Sequence, residues 1–312
     1  MISRADIAAA YDRVHSQVRR TPVLHLSADA LGIGHPIALK LEHLQLSGSF
    51  KIRGAFNNLL GQTLPASGVV AISGGNHGAA VAIAASSLGV KSVVFVPEMI
   101  ASAVKIERMR GFGAEVIVAE GSVDDAIRAY EDHARKTGAL AVHPYGSPET
   151  VAGQGTVGLE IEGQCPDLDT LLVAVGGGGL IGGIAAWYAG GVRIVAVETE
   201  GTSSLDRTLR GTLPKDFRVS GISASGLGAS SIGSLPLEII RAHVGANVVV
   251  SDNDVYEAQQ RLWRAARLVC EPGGVTSLAA LTSGAYRPQP DERVGVLLCG
   301  GNAEPNWFED VT

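Results

Sequence analysis

Residues 170–192 run for 23 positions without a charged side chain, and eight of them are glycine, four in succession at Gly176, Gly177, Gly178 and Gly179. A stretch so long and uncharged must leave water, either in a bilayer or inside the rest of the chain. The glycines decide for enclosure: a strand over 170–175, a glycine turn and a helix over 180–188 account for the segment without a membrane span. A strand apolar on both faces belongs in a parallel sheet covered by helices on each side.

The pattern recurs along the chain. Apolar, β-branched runs predict strands at 37–41, 69–73, 92–96, 115–118, 170–175, 194–198, 248–250 and 294–298. Helical periodicity fills the gaps at 49–60, 76–88, 123–136, 254–269 and 275–283. The expected class is α/β, in two lobes with parallel-rich sheets covered by helices. Turn residues cluster near 61–68 and 143–147, which divides the chain into a large unit of 1–63 with 144–312 and a small βαβ unit inserted at 64–143.

Charge and cysteine usage narrow the function. The net charge is −6 with no basic block, which speaks against a nucleic-acid partner. Three cysteines lack a CxxC spacing, so the chain is expected in a reducing compartment, the cytoplasm. The N-terminal 20 residues are polar and amphipathic, without the apolar stretch of a signal peptide. The histidines show no metal-ligand spacing.

Four short motifs carry chemistry. In Ser47-Gly48-Ser49-Phe50-Lys51-Ile52-Arg53-Gly54-Ala55, Ser49 is expected to cap a helix whose first turn holds Lys51. The helix dipole and the neighbouring Phe50 would both lower that amine's pKa, as a Schiff-base lysine requires. Taken alone, Lys51 reads more readily as an ordinary surface lysine at a helix start, since perturbed lysines are the exception. Ser73-Gly74-Gly75-Asn76-His77-Gly78 follows a strand and opens a helix, and its N–H groups suit an anion. Glycines chosen only for turn geometry would look the same. The tetraglycine turn before Leu180 is a phosphate cradle by the same physics. It also satisfies GxGxxG through Gly177, Gly179 and Gly182, with Glu198 ending the next strand 21 residues after Gly177, so a nicotinamide-dependent oxidoreductase competes on local evidence. Leu298-Cys299-Gly300-Gly301-Asn302 ends the last strand and places a thiol where α/β folds bind ligands; a buried structural cysteine is the plainer alternative. Glu271-Pro272-Gly273-Gly274 reads as a turn with a carboxylate, solvated or capping, before a helix.

Together and in this order the motifs resemble the serine/threonine dehydratases, pyridoxal-phosphate enzymes of the tryptophan-synthase-β-like class. The resemblance runs from about Arg20 to Asn302 and includes His143-Pro144-Tyr145 and Ala152-Gly153-Gln154-Gly155-Thr156. The oxidoreductase reading leaves Lys51, Asn76 and Cys299 without a role. The resemblance implies pyridoxal 5'-phosphate as cofactor, joined covalently to Lys51, which later takes the substrate's α-proton. It implies a cofactor-binding set of Phe50, Lys51, Asn76, Gly176, Gly177, Gly178, Gly179, Leu180, Glu271 and Cys299. Ser73, Gly75, Asn76 and His77 would surround the substrate carboxylate. Cys299 would face the pyridine nitrogen, and a thiol protonates that ring poorly, which favours rapid loss of the β-hydroxyl.

The implied reaction is dehydration and deamination of L-threonine or L-serine to a 2-oxo acid and ammonia. Alternatives are other β-hydroxy amino acids (β-hydroxyaspartate, a phenylserine), β-replacement, or serine racemisation. Racemases of the family carry a serine beside the Gly-Asn-His element, where this chain has Gly74. A cofactor-carrying module without turnover is the reading from another class, and the intact Lys51 and glycine turn speak against it. Some relatives bind Mg²⁺ or Ca²⁺ after the strand ending here in Glu198. Glu198 matches and Thr202 could offer its carbonyl, but Ser204 stands where a second carboxylate is expected, which puts that cation in doubt. The chain stops about ten residues after Asn302, whereas regulated biosynthetic relatives carry a further effector domain, so a catabolic or unregulated enzyme is expected. The resemblance also implies a homodimer. The pocket walls are expected at 145–149 and 223–231.

Overall fold

The computed structural model describes residues 1–303. Its chain order is α1 (Arg4–Val14), β1 (Val23–Leu26), β2 (Ile37–Lys40), α2 (Lys51–Leu60), β3 (Val69–Ile72), α3 (Asn76–Ser87), β4 (Ser92–Pro97), α4 (Ala103–Gly111), β5 (Glu115–Ala119), α5 (Val123–Thr137) and β6 (Leu140–Ala141). There follow α6 (Pro148–Gln164), β7 (Thr170–Ala174), α7 (Gly179–Tyr188), β8 (Arg193–Thr199), α8 (Ser204–Arg210), α9 (Ser234–His243), β9 (Val244–Val250), α10 (Asp252–Ala266), α11 (Pro272–Thr282) and β10 (Val294–Leu297).

The strands form two sheets, one of six in the order β1-β2-β10-β7-β8-β9 and one of four in the order β5-β4-β3-β6. Among the described residues, β1 is the one strand that runs antiparallel to its neighbour. All five residues of β7 and all six of β4 are buried. Helices covering both faces of a parallel sheet produce that burial. The uncharged stretch is β7, its glycine turn and α7, and among the described residues no helix is long and apolar enough to cross a membrane.

Local chemistry explains most boundaries. Ser3 with Asp6, Ser122 with Asp125 and Ser251 with Asp254 form reciprocal capping boxes at the starts of α1, α5 and α10. Helix α10 stops at Ala266 rather than running to Val269, because Arg267 turns left-handed at φ +56°. Helix α6 has a clear start, Ser147 as cap and Pro148 in the first turn, but its interior is glycine-rich. Those glycines are packing devices. A Cβ on Gly153 would lie 2.8 Å from Gly54 Cα of α2, and one on Gly183 of α7 would lie 2.3 Å from Val151 O of α6. The three helices therefore approach backbone to backbone.

Three of the four motifs fall at the carboxyl ends of strands. Ser73 follows β3, Gly176 follows β7, and Cys299 follows β10. That edge is where open α/β sheets bind ligands.

Candidate active site

Helix α2 begins at Lys51, not at a cap on Ser49. Ser49 instead pairs in an isolated bridge with Gly300, and its buried hydroxyl has no hydrogen-bond partner. The Phe50 N–H donates to Cys299 O at 3.2 Å, so the start of α2 is stitched to the end of β10. Lys51 Nζ donates to Pro144 O at 2.8 Å and lies 5.2 Å from the centroid of the Phe50 ring. Desolvation of the ammonium, only partly opposed by the nearby Cys299, pulls its pKa down to about 8. The positive end of α2 works in the same direction.

The groups around the amine are uncharged. Burial pushes the Cys299 thiol up to about 12, aided by the carboxylate of Glu271, and its Sγ donates to Gly273 O at 3.6 Å. His77 is held down to about 3, first by burial and then by Lys51. Its Nε2 lies 2.9 Å from Val142 O, which accepts, so the proton sits on Nε2.

Asn76 opens α3. Its Nδ2 donates to Glu271 Oε1 at 2.5 Å, and its Oδ1 accepts from Asn302 Nδ2 at 2.5 Å. Glu271 is buried at the start of α11, not solvated, and burial raises its carboxyl pKa against the Asn76 bond. In the same turn the Gly75 N–H donates to Ser73 Oγ at 3.1 Å. A Cβ on Gly75 would lie 3.3 Å from Ser225 O, which sets the turn against the segment 222–225.

The tetraglycine turn is roofed. A Cβ on Gly177 would come within 2.3 Å of the Tyr145 ring, and one on Gly179 within 2.8 Å of Tyr145 O. Gly178 is left-handed at φ +90° and caps α7. One turn, 143–146, thus touches both halves of the site: Pro144 O receives the amine and Tyr145 covers the glycines. His143 Nδ1 accepts from Gly146 N–H at 2.8 Å, and its ring packs edge-on to Tyr145 at 4.9 Å. Burial raises the Tyr145 hydroxyl's pKa, partly opposed by the nearby Ser231.

Glu198 and Thr202 stand apart from this cluster. Glu198 Oε1 and Oε2 accept from the N–H groups of Leu205 and Asp206, each at 2.7 Å, so the carboxylate ties down the start of α8. Burial raises its pKa to about 7 despite these bonds. The Thr202 hydroxyl bonds to Thr199, and the buried Ser204 hydroxyl has no partner. Among the described residues, no three His, Cys, Asp or Glu side chains gather to hold a metal ion.

Sequence reasoning gave Asn302 no role of its own within its motif, and did not find Arg108 or the buried ions behind Lys51. The last form a closed group: Arg53 bridges Glu42 and Glu160, and Lys40 donates to Glu160 Oε2 at 2.7 Å. Only an assembled fold brings together residues so far apart in the chain. The presence of Arg53 two residues after Lys51 and Lys40 in an apolar strand were the available signals.

These residues fit a pyridoxal phosphate. A desolvated amine stands ready for its aldehyde, and the roofed glycine turn at the head of α7 suits its phosphate. Asn76 suits a ring oxygen, and a neutral thiol suits the ring nitrogen. Residues 14–300 match the family model described as pyridoxal-phosphate dependent enzyme. L-Threonine ammonia-lyase of Thermotoga maritima is 34% identical over 100% of this chain and 78% of its own length. The structure of maize serine racemase superposes with a TM-score of 0.92 at 32% identity, covering 99% of this chain and 96% of that one. The threonine deaminase of T.th. superposes with a TM-score of 0.90 at 34% identity, covering 97% and 99%. Since the amine, the glycine turn and the thiol all fall inside the matched region, the chain belongs to the pyridoxal-phosphate dependent enzymes, with the tryptophan-synthase-β-like fold of its neighbours.

Proposed function

We propose that this enzyme is an ammonia-lyase that eliminates water from L-threonine or L-serine, after which the released enamine turns into an imine that takes up water and gives the 2-oxo acid and ammonia. The observation that carries the reading is the desolvated Lys51 amine, held on Pro144 O in the same turn whose Tyr145 covers the glycines, with the uncharged Cys299 thiol nearby. Relatives named for threonine ammonia-lyase at 34% and 37% identity support the substrate class.

When bound, pyridoxal phosphate supplies an aldehyde and a conjugated ring that accepts the electron pair freed at the substrate α-carbon. The chain's own groups do the rest. Lys51, with a pKa near neutrality, takes the α-proton. The N–H groups at the head of α3, with Ser73, Gly75, Asn76 and neutral His77, hold the substrate carboxylate. Gly176, Gly177, Gly178 and Gly179, with Leu180 at the start of α7, would hold the phosphate, and Tyr145 would exclude water from that end. Phe50 would pack against the ring. Cys299, whose thiol burial pushes up, would face the ring nitrogen as a weak donor and not as a strong acid, which would favour loss of the β-hydroxyl.

In this reading residues 1–63 and 144–312 make the cofactor-binding lobe and 64–143 the lobe that closes on the substrate. The enzyme works as a cytoplasmic homodimer without a required divalent cation. Racemisation is disfavoured, since Gly74 offers no hydroxyl and a Cβ there would already sit 3.0 Å from Ile100 Cδ1.

The test is the visible spectrum of the purified protein, followed by a panel of β-hydroxy amino acids read as 2-oxo acid. A visible band that shifts on adding threonine, with release of ammonia, is expected, and Lys51→Ala should lose both band and turnover. Full turnover in that variant, or a colourless protein indifferent to added pyridoxal phosphate, overturns the proposal. A faster rate on β-hydroxyaspartate or phenylserine reassigns the substrate only, and D-serine after incubation with L-serine reinstates the racemase.

A further inference from the structure

A file of polar side chains runs into the site from outside it. Arg108 lies on α4, among the helices of the four-stranded sheet. Its guanidinium donates to Asn302 Oδ1, and to Ser47 O at 2.9 Å. Asn302 Nδ2 donates to Asn76 Oδ1 at 2.5 Å and to Ser47 O at 3.0 Å. Asn76 Nδ2 donates to Glu271 Oε1 at 2.5 Å. The file crosses between the two sheet regions three times, since Asn76, like Arg108, belongs to the four-stranded half while Glu271 and Asn302 belong to the other.

Two glycines make room for it. Gly48 is left-handed at φ +71°, and a Cβ there would fall 2.1 Å from Asn302 Oδ1. A Cβ on Gly300 would fall 2.0 Å from Glu271 Oε1. Both glycines belong to the motifs that flank the cofactor site, and neither position tolerates a side chain while the file is in place.

The direction of the file follows from donor chemistry. A guanidinium can only donate and a carboxylate can only accept. Each amide between them must accept on one side and donate on the other, so Asn76 turns its Nδ2 toward Glu271 and the cofactor site. The two ends are not equal. Burial raises the Glu271 carboxyl, and once protonated it could donate as well as accept. Arginine keeps its charge at any working pH.

We propose that Arg108 is a positioning residue that holds the Asn76 amide, through Asn302, with its NH₂ group facing the cofactor. The proposal deepens the cofactor reading above and rests on it for its consequence in catalysis. Arg108→Met is the variant of choice. It keeps an unbranched apolar stem and removes the guanidinium, both its donors and its place 6.0 Å from the Phe112 ring centroid, and thermal unfolding checks that the fold survives.

In cofactor-free protein labelled with ¹⁵N-asparagine, the Asn76 side-chain NH₂ signals are assigned with Asn76→Ala. Arg108→Met is expected to speed their solvent exchange about tenfold, the loss of one modest hydrogen bond. In the loaded enzyme it is expected to move the pH midpoint of the visible band in the direction in which Asn76→Ala moves it. The expected kinetic change is kcat lower by about tenfold with KM within about twofold. Unchanged Asn76 exchange in a folded Arg108→Met protein overturns the proposal, as does lost activity with an unmoved midpoint. A wild-type protein without any visible band overturns the cofactor reading alone, and the exchange of Asn76 still decides this one.

Discussion

Glu160→Gln should be among the most damaging single-atom changes outside the site, because it unbalances a closed set of charges. Lys40, Arg53, Glu42 and Glu160 are all at most 3% exposed. Glu160 accepts from Lys40 Nζ at 2.7 Å and from Arg53 Nη1 and Nη2 at 2.9 Å each. Glu42 takes Arg53 Nε and Nη2 at 2.8 Å each, and the Thr21 hydroxyl. Two cations are therefore matched by two carboxylates. Removing one carboxylate leaves a buried positive charge uncompensated, which costs about 3–5 kcal/mol. The ammonium of Lys40, which burial already pulls down, can escape by losing its proton, so the loss should shrink as pH rises. Lys40→Met in the same chain restores neutrality, leaving the Arg53–Glu42 pair intact. The double variant should then recover at least ~1 kcal/mol relative to Glu160→Gln alone. Urea unfolding of the holoenzyme at two pH values measures each term. Arg53 is two residues beyond Lys51 on α2, so Glu160→Gln should also weaken cofactor retention. A single variant within about 0.5 kcal/mol of wild type, or a double variant that simply adds the two losses, would refute the charge-balance argument.

Two further outcomes follow from the site. Gly177→Ala would place its methyl 2.3 Å from the Tyr145 ring; the ring must move, and equilibrium dialysis should show cofactor affinity falling by at least about tenfold, whereas unchanged affinity would mean the roof is loose. Reconstitution of apo-protein should speed up with pH and level off above the Lys51 pKa of about 8, because only the neutral amine attacks the aldehyde. With that pKa roughly a quarter of the amine is neutral at pH 7.5, on the order of 200-fold more than for an unperturbed lysine. Since this base is depressed in the folded apo state, its burial penalty is present below pH 8 and fades between there and the unfolded value near 10.5. A stopped-flow rate still climbing tenfold per unit at pH 9 would contradict the desolvated amine.

The motifs that meet at the site were readable because each is local. The tetraglycine turn and the Ser73–His77 turn each combine a buried strand, a glycine turn and a following helix within ten residues, and the end of β10 a buried strand and two glycines. What escaped reading has equally physical reasons. Helix α6 is hidden by the glycines that let it pack on Gly54 and Gly183, since glycine lowers helix propensity wherever it serves close approach. Strand β6 is two residues long, too short for any periodicity. Ser49 looks like a helix cap in isolation, but its pairing with Gly300 takes it elsewhere. Glu198 resembles a metal ligand by position, while both of its oxygens go to the start of α8.

Alternating buried strands and helices, and glycine wherever backbone must meet a ligand or another backbone, were determined by the order of residues alone, because these depend on nearest neighbours and burial. The tertiary structure decided the electrical character of the site. Only packing desolvates Lys51, pushes the Cys299 thiol's pKa up, closes the four-ion group behind α2 and lines up Arg108 with Asn76, because each effect needs charges and dipoles from distant segments held a few ångströms apart in a medium from which water has been excluded.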